Sequence, residues 1–570
     1  MDSRVQDAAA TGQHDGVVGP EELWCTPPFF GQAERWPCAA GVGGIPPFPK
    51  TPKAAPQLAG EIGTLLLPAL IAPELKAIAA DLAANSGDPT KAAVVETQLA
   101  CLTGRIVFAG GWTASGRHSG AEPLCTGRAR PYDESTLRKQ AGAWAKAGGA
   151  QILARYLEAQ VETAVENGGQ KVVAYSDIHD QPFFTKRPAH AGPIGRLGNR
   201  ILAATYLGLT FIKLSHDGPS LGYSISWLKP ASPLIDALEQ LYGDERRRNW
   251  LLNWIRIHNW DRGGNGEAVL VWAAGVGIPY LTLCGKTFHY TKFLNPTLLT
   301  SNKLPVFVRP HPGPAAAAKA AGNGLEPRTV IFPAHPEQGR NCTKALGYQT
   351  AAVLTRKDHA TINLGYKTRW PSMENKIKVG LAVGFGVNRD RTLQLTTGRG
   401  VDGKIKKLTA RETQLKAEIE QLQPAITASQ LSKVKTRKKK LRKVRAQRRA
   451  LEHQPLTKGA RAPTGSELLC KNLLMLLLNA LALLLATSPM DEVRTMTPAM
   501  LRELLLAQPA LASLEAGTIT LWVAPMVDAR QQRLQVELLR IFDGAALNSR
   551  HGRLHFRMRK AIYRPPLRGL

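Results

Sequence analysis

A strand–acid–glycine–helix–strand unit near the middle of the chain constrains its fold more than any other segment. Residues 255–260 (Ile-Arg-Ile-His-Asn-Trp) read as a strand that ends at Asp261, although they are more polar than a buried strand usually is. Gly263-Gly264 follow, residues 268–275 suit a helix, and residues 278–283 suit the next strand. Active-site groups in α/β folds commonly lie at the C-terminal ends of strands. The unit predicts a mixed α/β fold with Asp261 at a functional edge.

A second acidic group follows another short β-type run. Residues 172–175 (Val-Val-Ala-Tyr) lead into Ser-Asp-Ile-His-Asp, so Asp177 and Asp180 compete for one role. The other elements predicted around this group are strands at residues 201–214, 221–228 and 351–355 and a helix at 233–242. These patterns extend the α/β domain on both sides of Asp261.

A third acid, Glu374, lies in a segment that starts at Tyr366. It comes four residues after Trp370 and four before Lys378, positions that share one face of a helix. Pro371 fits best as the first residue of a restarted helix. An acid near a helix N-terminus also has a simpler explanation, because the helix dipole favours it there.

The composition points to a polyanionic partner. The 570 residues carry a formal charge of +30, much of it clustered, and nucleic acid is the commonest such partner. Seven scattered cysteines without a Cys-x-x-Cys pair predict neither a disulfide framework nor a zinc ribbon. The N-terminus lacks an apolar signal core. The apolar run at residues 473–486 is shorter than the roughly 20 residues of a membrane span, so we interpret it as a buried core helix.

A basic helical hairpin is predicted at residues 401–455. Ile405, Leu408, Leu415, Ile419 and Leu422 approximate a heptad stripe, which Pro424 interrupts before a second helix begins. Residues 433–449 contain eleven Lys or Arg and no acid, and this excess favours nucleic-acid contact over a solvated face. The contacts are expected from five of these side chains: Lys438, Lys439, Lys440, Arg442 and Lys443.

The remaining composition shifts divide the chain into further segments. Residues 1–57 are a Pro/Gly-rich tail that is predicted to be disordered. Residues 58–168 read as a helical domain and residues 169–400 as the α/β domain, with an insertion at about 284–350. Residues 456–570 read as a helical C-terminal region with a helix at 502–514 and a strand at 519–523.

Three carboxylates separated by 84 and 113 residues (177 to 261 and 261 to 374) can act together only if the fold collects them. Two-metal phosphoryl transfer needs such a set, because Mg²⁺ takes oxygen ligands and leaves positions for water and phosphate.

The acidic blocks resemble those of DDE transposases. Tyr175–His179, then Asp261–Gly264 before a helix, then Tyr366, Arg369-Trp370 and Glu374-Asn375 follow that family's order. Bacterial insertion-sequence transposases with a β-rich insertion between the second Asp and the Glu are the most similar group. The resemblance covers roughly residues 130–400 well and the helical C-terminal third loosely.

This resemblance implies an RNase H-like catalytic core in which Asp177, Asp261 and Glu374 bind two Mg²⁺ or Mn²⁺ ions. His179 is interpreted as structural, because hard Mg²⁺ prefers oxygen. Arg262 is expected either to contact DNA phosphate or to pair with a carboxylate of the site.

The resemblance also implies DNA contacts around Glu374. Tyr366 and Arg369 match the tyrosine and arginine of the family signature. Four residues follow Arg369 before the glutamate, where the common signature has three. The signature lysine would fall at Leu381, so Lys378 or Lys376 would have to serve.

We therefore expect a DNA transposase that cleaves insertion-sequence ends and joins them to target DNA. Its partner would be double-stranded DNA, bound by a homodimer without a membrane, in a bacterial cytoplasm at the nucleoid. The N-terminal helical domain would also bind DNA. A repurposed, inactive DNA-binding protein and a structure-specific nuclease on the same core are the alternatives.

Overall fold

The computed structural model describes most of the chain between residues 57 and 558. The described residues are 57–107, 122, 128, 130–183, 194–196, 203–215, 217–228, 234–261, 264–285, 306–333, 345–351, 366, 369, 372, 377, 380, 381, 385, 391–396, 401–422, 428–452, 458–463, 465–515, 517–549 and 552–558. The tail predicted at residues 1–57 lies outside them except for its last residue.

Runs of helices and runs of strands follow one another through the described residues. The strands are β1 (Gln57–Glu61), β2 (Val172–Phe183), β3 (Ile194–Arg196), β4 (Ala203–Lys213), β5 (Ser220–Leu228), β6 (Ile255–Trp260), β7 (Tyr280–Leu283), β8 (Val306–Pro310), β9 (Arg328–Pro333), β10 (Ala345–Thr350), β11 (Arg391–Thr396), β12 (Lys458–Pro463), β13 (Pro509–Glu515), β14 (Thr518–Val523), β15 (Asn548–Ser549) and β16 (Gly552–Met558). The α-helices are α1 (Gly63–Leu70), α2 (Ala72–Asn85), α3 (Ala92–Ile106), α4 (Glu134–Lys146), α5 (Gly149–Gly168), α6 (Leu234–Tyr242), α7 (Glu245–Trp254), α8 (Glu267–Val276), α9 (Pro312–Ala321), α10 (Val401–Leu422), α11 (Ala428–Glu452), α12 (Gly465–Leu485), α13 (Asp491–Arg494), α14 (Pro498–Leu501) and α15 (Ala529–Gly544).

A mixed sheet organises the middle of the chain. Its strand order is β3-β4-β2-β6-β7-β10-β9-β8, and β5 also pairs with β4. Strands β2, β4 and β5 form an antiparallel meander. β6 then runs parallel to β2, and β7 runs parallel to β6. The predicted mixed α/β class is confirmed.

The insertion between β7 and the Glu374 segment extends this sheet. β10 pairs antiparallel with β7, and β9 and β8 follow it outward. Helix α9 packs against α8, where the Asn323 side chain donates to the Ala274 carbonyl. β10 ends at Thr350, and the strand predicted at residues 351–355 lies outside the described residues except for Ala351.

The two ends of the chain share one hydrophobic core. β1 pairs with β13 in a sheet of order β1-β13-β14-β16-β15. Helix α12 packs against α4, α5 and β5, and the amide of its Asn479 exchanges two 2.8 Å hydrogen bonds with the Gly222 backbone. By length and composition α12 could cross a membrane, but 72% of its most apolar 18-residue window is buried inside the protein. The predicted core helix is confirmed.

The helix predicted at residues 502–514 is wrong after its first turn. A π-helical turn covers Arg502–Leu506, and β13 follows. Pro509 has no backbone N–H to continue a helix. Ala510 and Ala512 point into the core with the period of a strand. The strand predicted at residues 519–523 is confirmed as β14.

The predicted helical hairpin is confirmed as α10 and α11, which pack against each other. We call residues 401–452 the basic arm. β11 before it and β12 after it pair antiparallel, from Arg391 with Pro463 to Thr396 with Lys458. The arm therefore leaves and rejoins the chain at one two-stranded ribbon.

Candidate active site and basic arm

The parallel pairing of β2 and β6 brings two predicted acids together. Ser176 aligns with Trp260 at the last register position, so the residues that follow are Asp177 and Asp261. Asp261 lies just past the end of β6, as predicted. Asp177 lies inside a longer β2 than expected and pairs with Leu209 of β4.

Arg369 and Tyr366 contact this acid pair. The Arg369 Nη2 atom donates to Oδ2 of Asp177 at 3.1 Å and lies 3.7 Å from Oδ1 of Asp261. The Tyr366 hydroxyl donates to Oδ1 of Asp261 at 3.4 Å. The Arg369 side chain is only 8% exposed, against 26% for Asp177 and 52% for Asp261. The buried guanidinium of Arg369 therefore lies close to both carboxylates at a partly exposed edge of the sheet.

Burial makes Asp177 harder to ionise. It raises the pKa of Asp177 to about 6, and the nearby negative charge of Asp261 acts in the same direction. The Arg369 charge and a 2.8 Å hydrogen bond from the Ile178 N–H oppose this shift. A positive charge beside the pair favours the form in which both acids are ionised.

Asp177 and Asp180 lie on opposite faces of the sheet. Residues an odd number apart on β2 face opposite sides of the sheet, so Asp180 points away from Asp261. Burial raises the pKa of Asp180. His179 shares the face of Asp177, and burial together with the nearby Lys471 charge lowers its pKa. Asp177 is thus the acid that the fold places beside Asp261.

A buried polar network lies directly behind the acid pair. The Ser176 hydroxyl oxygen lies 2.7 Å from Oγ1 of Thr210 and 2.8 Å from Nε2 of His258. The Tyr242 hydroxyl lies 2.7 Å from Nδ1 of His258. Complete burial lowers the pKa of His258 to about 3, so the ring is neutral near pH 7 and has one donor and one acceptor nitrogen. These bonds tie β2, β4, β6 and α6 together at the register that aligns the acids.

The sequence reasoning missed this network. His258 and the neighbouring Asn259 are fully buried in β6. They are the residues that made 255–260 look too polar for a buried strand. That polarity was the available signal, because a buried polar side chain implies a hydrogen-bond partner.

Other predicted site residues lie outside the described segments. These are Glu374, Lys378, Lys376 and Arg262. Within the residues that the structure describes, no group of three or more His, Cys, Asp or Glu side chains could hold a metal ion. The described part of the site is therefore a pair of acids with its arginine and tyrosine.

The donor chemistry of this pair fits a hard cation. Both acids offer carboxylate oxygens, the ligand type that Mg²⁺ prefers. Both already converge on one cationic atom, the Nη2 of Arg369. Asp177 and Asp261 are thus the described residues that would hold a divalent ion.

Paired charges lie inside the basic arm. Glu412 occupies the heptad position between Leu408 and Leu415, where it is buried. It accepts hydrogen bonds from Nε of Arg445 at 3.0 Å and Nε of Arg448 at 3.2 Å. Such a buried polar residue in a helix seam specifies the register of the pair.

Other basic side chains of α11 are exposed to solvent. Arg437 pairs with Glu418 at 2.8 Å, so a third arginine of α11 also turns toward α10. The five side chains that the sequence predicted to contact DNA are all exposed. We call them the outer basic set: Lys438, Lys439, Lys440, Arg442 and Lys443.

No protein-family model matches the chain, and no curated protein matches it. Family membership is accordingly a proposal that depends on the residues described above.

Proposed function

We propose that this protein is a DNA transposase that cleaves and joins strands by metal-dependent phosphoryl transfer. The observation that carries the proposal is the convergence of Asp177 and Asp261, 84 residues apart (177 to 261), on one cationic atom at the edge of β2 and β6. Placing two acids side by side costs free energy, because like charges repel and burial disfavours the charged form of Asp177. A bound metal cation would compensate for this repulsion and would explain why the two acids lie together.

The topology of the sheet supports the RNase H-like part of the proposal. That class of core has an antiparallel meander of three strands followed by two parallel strands on the other side of the first. The meander β2-β4-β5 and the parallel strands β6 and β7 have this order. Asp177 lies on the first of these strands, and Asp261 follows the fourth.

The carboxylates and Tyr366 have separate roles in the proposed reaction. Asp177 and Asp261, with Glu374, would hold Mg²⁺ or Mn²⁺. When bound, two such ions activate the attacking oxygen and stabilise the leaving one. Tyr366 orients Asp261 through its hydroxyl. Hydrolysis at an element end would give a 3′-hydroxyl and a 5′-phosphate. This hydroxyl would then attack a phosphodiester of the target in a second displacement, in which the target's own 3′-oxygen leaves.

The basic arm would hold double-stranded DNA by its phosphates. The outer basic set is exposed, whereas the arginines of the seam are occupied by Glu412 and Glu418. Phosphate contacts position a protein on DNA without reading its sequence. We therefore propose that the arm supplies affinity, and that selection of the element ends lies elsewhere in a dimer.

The test uses a plasmid that carries this gene with its flanking genomic DNA, a second target plasmid, and the full chain with Mg²⁺. We expect new junctions in the target, detected by sequencing, and none with EDTA or with Asp177→Asn. Asp236→Asn on α6 is the matched control and should join DNA normally. Nicking without joining would favour the nuclease alternative, and DNA binding without nicking would favour the repurposed binding protein.

A further inference from the structure

Arg369 occupies the space that a shared metal ion would need. Its Nη2 atom lies 3.1 Å from a carboxylate oxygen of Asp177 and 3.7 Å from one of Asp261. An Mg²⁺ ion that both acids bind must lie about 2.0–2.1 Å from their oxygens. A guanidinium stays charged at any pH at which proteins are folded. The two cations therefore compete for one position between the acids.

We propose that Arg369 is an exchangeable counter-cation: it neutralises the acid pair in the free protein and is displaced when a divalent ion binds. This inference rests on the proposed metal-dependent function. In the free protein the arginine offsets the repulsion between two neighbouring carboxylates, one of them largely desolvated. On metal binding the same charge would oppose the ion and has to move.

Described contacts anchor residues on both sides of Arg369. The Tyr366 ring packs edge-to-face on Tyr348 with ring centroids 5.3 Å apart. Further along, the Ser372 carbonyl accepts a 2.6 Å hydrogen bond from the Ser220 hydroxyl, and Phe385 is buried in the core. These anchors lie on both sides of Arg369 in the sequence. We therefore expect Tyr366 to keep its contact with Asp261 when the arginine side chain is displaced.

The exchange links metal binding to DNA binding. A displaced guanidinium at this edge would lie near the substrate, and its planar fork suits phosphate oxygens. DNA would then stabilise the displaced arginine and so favour metal binding. By thermodynamic reciprocity, the metal ion would favour DNA binding by the same factor.

The test measures Mn²⁺ affinity of the full chain without DNA, by electron paramagnetic resonance of the free ion. Arg369→Gln should bind Mn²⁺ more tightly than wild type, by roughly 5–150-fold, the usual range for coupled sites. Arg369→Lys, which keeps a positive charge, should stay closer to wild type. Arg155→Gln on the exposed side of α5 is the control and should bind as wild type does. Unchanged or weaker binding by Arg369→Gln would overturn the exchange.

A wild-type crystal soaked in Mn²⁺ provides a second measurement that no variant's folding can obscure. We expect the ion between Asp177 and Asp261 and the guanidinium of Arg369 moved away from both. An ion bound with Arg369 still between the acids would overturn the exchange alone. If Asp177→Asn binds Mn²⁺ as tightly as wild type, Asp177 is not a metal ligand. That result would refute both the exchange and the proposed function.

Discussion

The acid pair and the basic arm combine carboxylates and arginines in opposite proportions. At the acid pair, two aspartates face one described arginine, and Asp261 remains half exposed. In the arm, Glu412 and Glu418 meet three arginines of α11 while the outer basic set faces solvent. Negative charge is in excess in one region and positive charge in the other. Divalent ions would balance the first and phosphates the second, so a DNA complex with metal would satisfy both.

The largest expected effect tests whether the acid pair serves catalysis and not DNA binding. Asp261→Asn should reduce cleavage by more than the roughly 10–100-fold that loss of an outer-shell partner costs at a metal site, because a direct ligand is lost. DNA affinity should be unchanged or tighter, since the variant removes one negative charge. Cleavage assays and filter binding at one salt concentration measure the two effects. Wild-type cleavage by the variant with Mg²⁺ present would refute the assignment.

The next effect concerns the arm. Replacing the whole outer basic set by glutamine should weaken binding to element-end DNA and random DNA about equally. Each lost phosphate contact should flatten the slope of log affinity against log salt by roughly 0.9. Glutamine has a helix propensity close to that of lysine, so the arm should stay folded. Loss of binding to the element ends alone would show instead that the arm reads bases.

The control for the arm has to remove positive charge elsewhere. Lys171, Lys319, Arg530, Arg533 and Arg553 are exposed and lie outside both the arm and residues 58–168. Replacing these five side chains by glutamine should change the salt slope much less. Equal slopes for the two variants would mean that net charge, and not the arm, determines DNA affinity.

Local patterns predicted the parts of the molecule that local forces form. The strands and helix around Asp261 and the two helices of the arm follow from apolar periodicity, turn residues and charge runs. The pairing of β1 with β13 joins segments about 450 residues apart, for which a single sequence carries no signal. β13 itself reads as helix locally, and only its pairing with β14 makes it a strand.

The site divides in the same way. The resemblance selected Asp177, Asp261, Tyr366 and Arg369, and the fold brings these four residues together. The pairing of Arg369 with both acids depends on side-chain geometry that no motif expresses. Glu412 was passed over because an acid interrupts an apolar stripe, although its partners on α11 come from the same hairpin.

A smaller effect tests whether the seam of the arm is built on its paired charges. Glu412→Gln removes the charge that Arg445 and Arg448 share, so α10 and α11 should exchange amide hydrogens faster than in wild type. Glu420→Gln, at an exposed position of α10, is the control and should exchange as wild type does. Equal exchange in all three proteins would show that the apolar seam alone holds the hairpin together.

The smallest effect concerns the pH dependence of the unfolding free energy, to which His258 and Asp177 contribute with opposite signs. The folded-state pKa of His258 is about 3 and its ordinary value is 6.5, so between these limits the unfolded chain binds a proton that the folded chain excludes. This residue's stabilising contribution is therefore complete above pH 6.5 and is lost as the pH falls towards 3. Asp177 has the opposite sign: its raised pKa, about 6, makes stability fall as the pH rises from 3.8 to 6. The two contributions offset each other over most of that range.

In the His258→Gln variant, the contribution of Asp177 to the pH dependence of stability should no longer be offset by that of His258. Near pH 7 the variant should lose about 1–3 kcal/mol of unfolding free energy, because buried hydrogen-bond partners are left unsatisfied. Between pH 6 and pH 4 its stability should fall less steeply with acid than that of wild type, by about 1.4 kcal/mol per pH unit, the equivalent of one proton. Urea unfolding across this range measures both quantities, and Asp177→Asn should shift the slope the other way. Parallel pH profiles for wild type and His258→Gln would mean that His258 is protonated in the folded protein, and that the network behind the acid pair is charged.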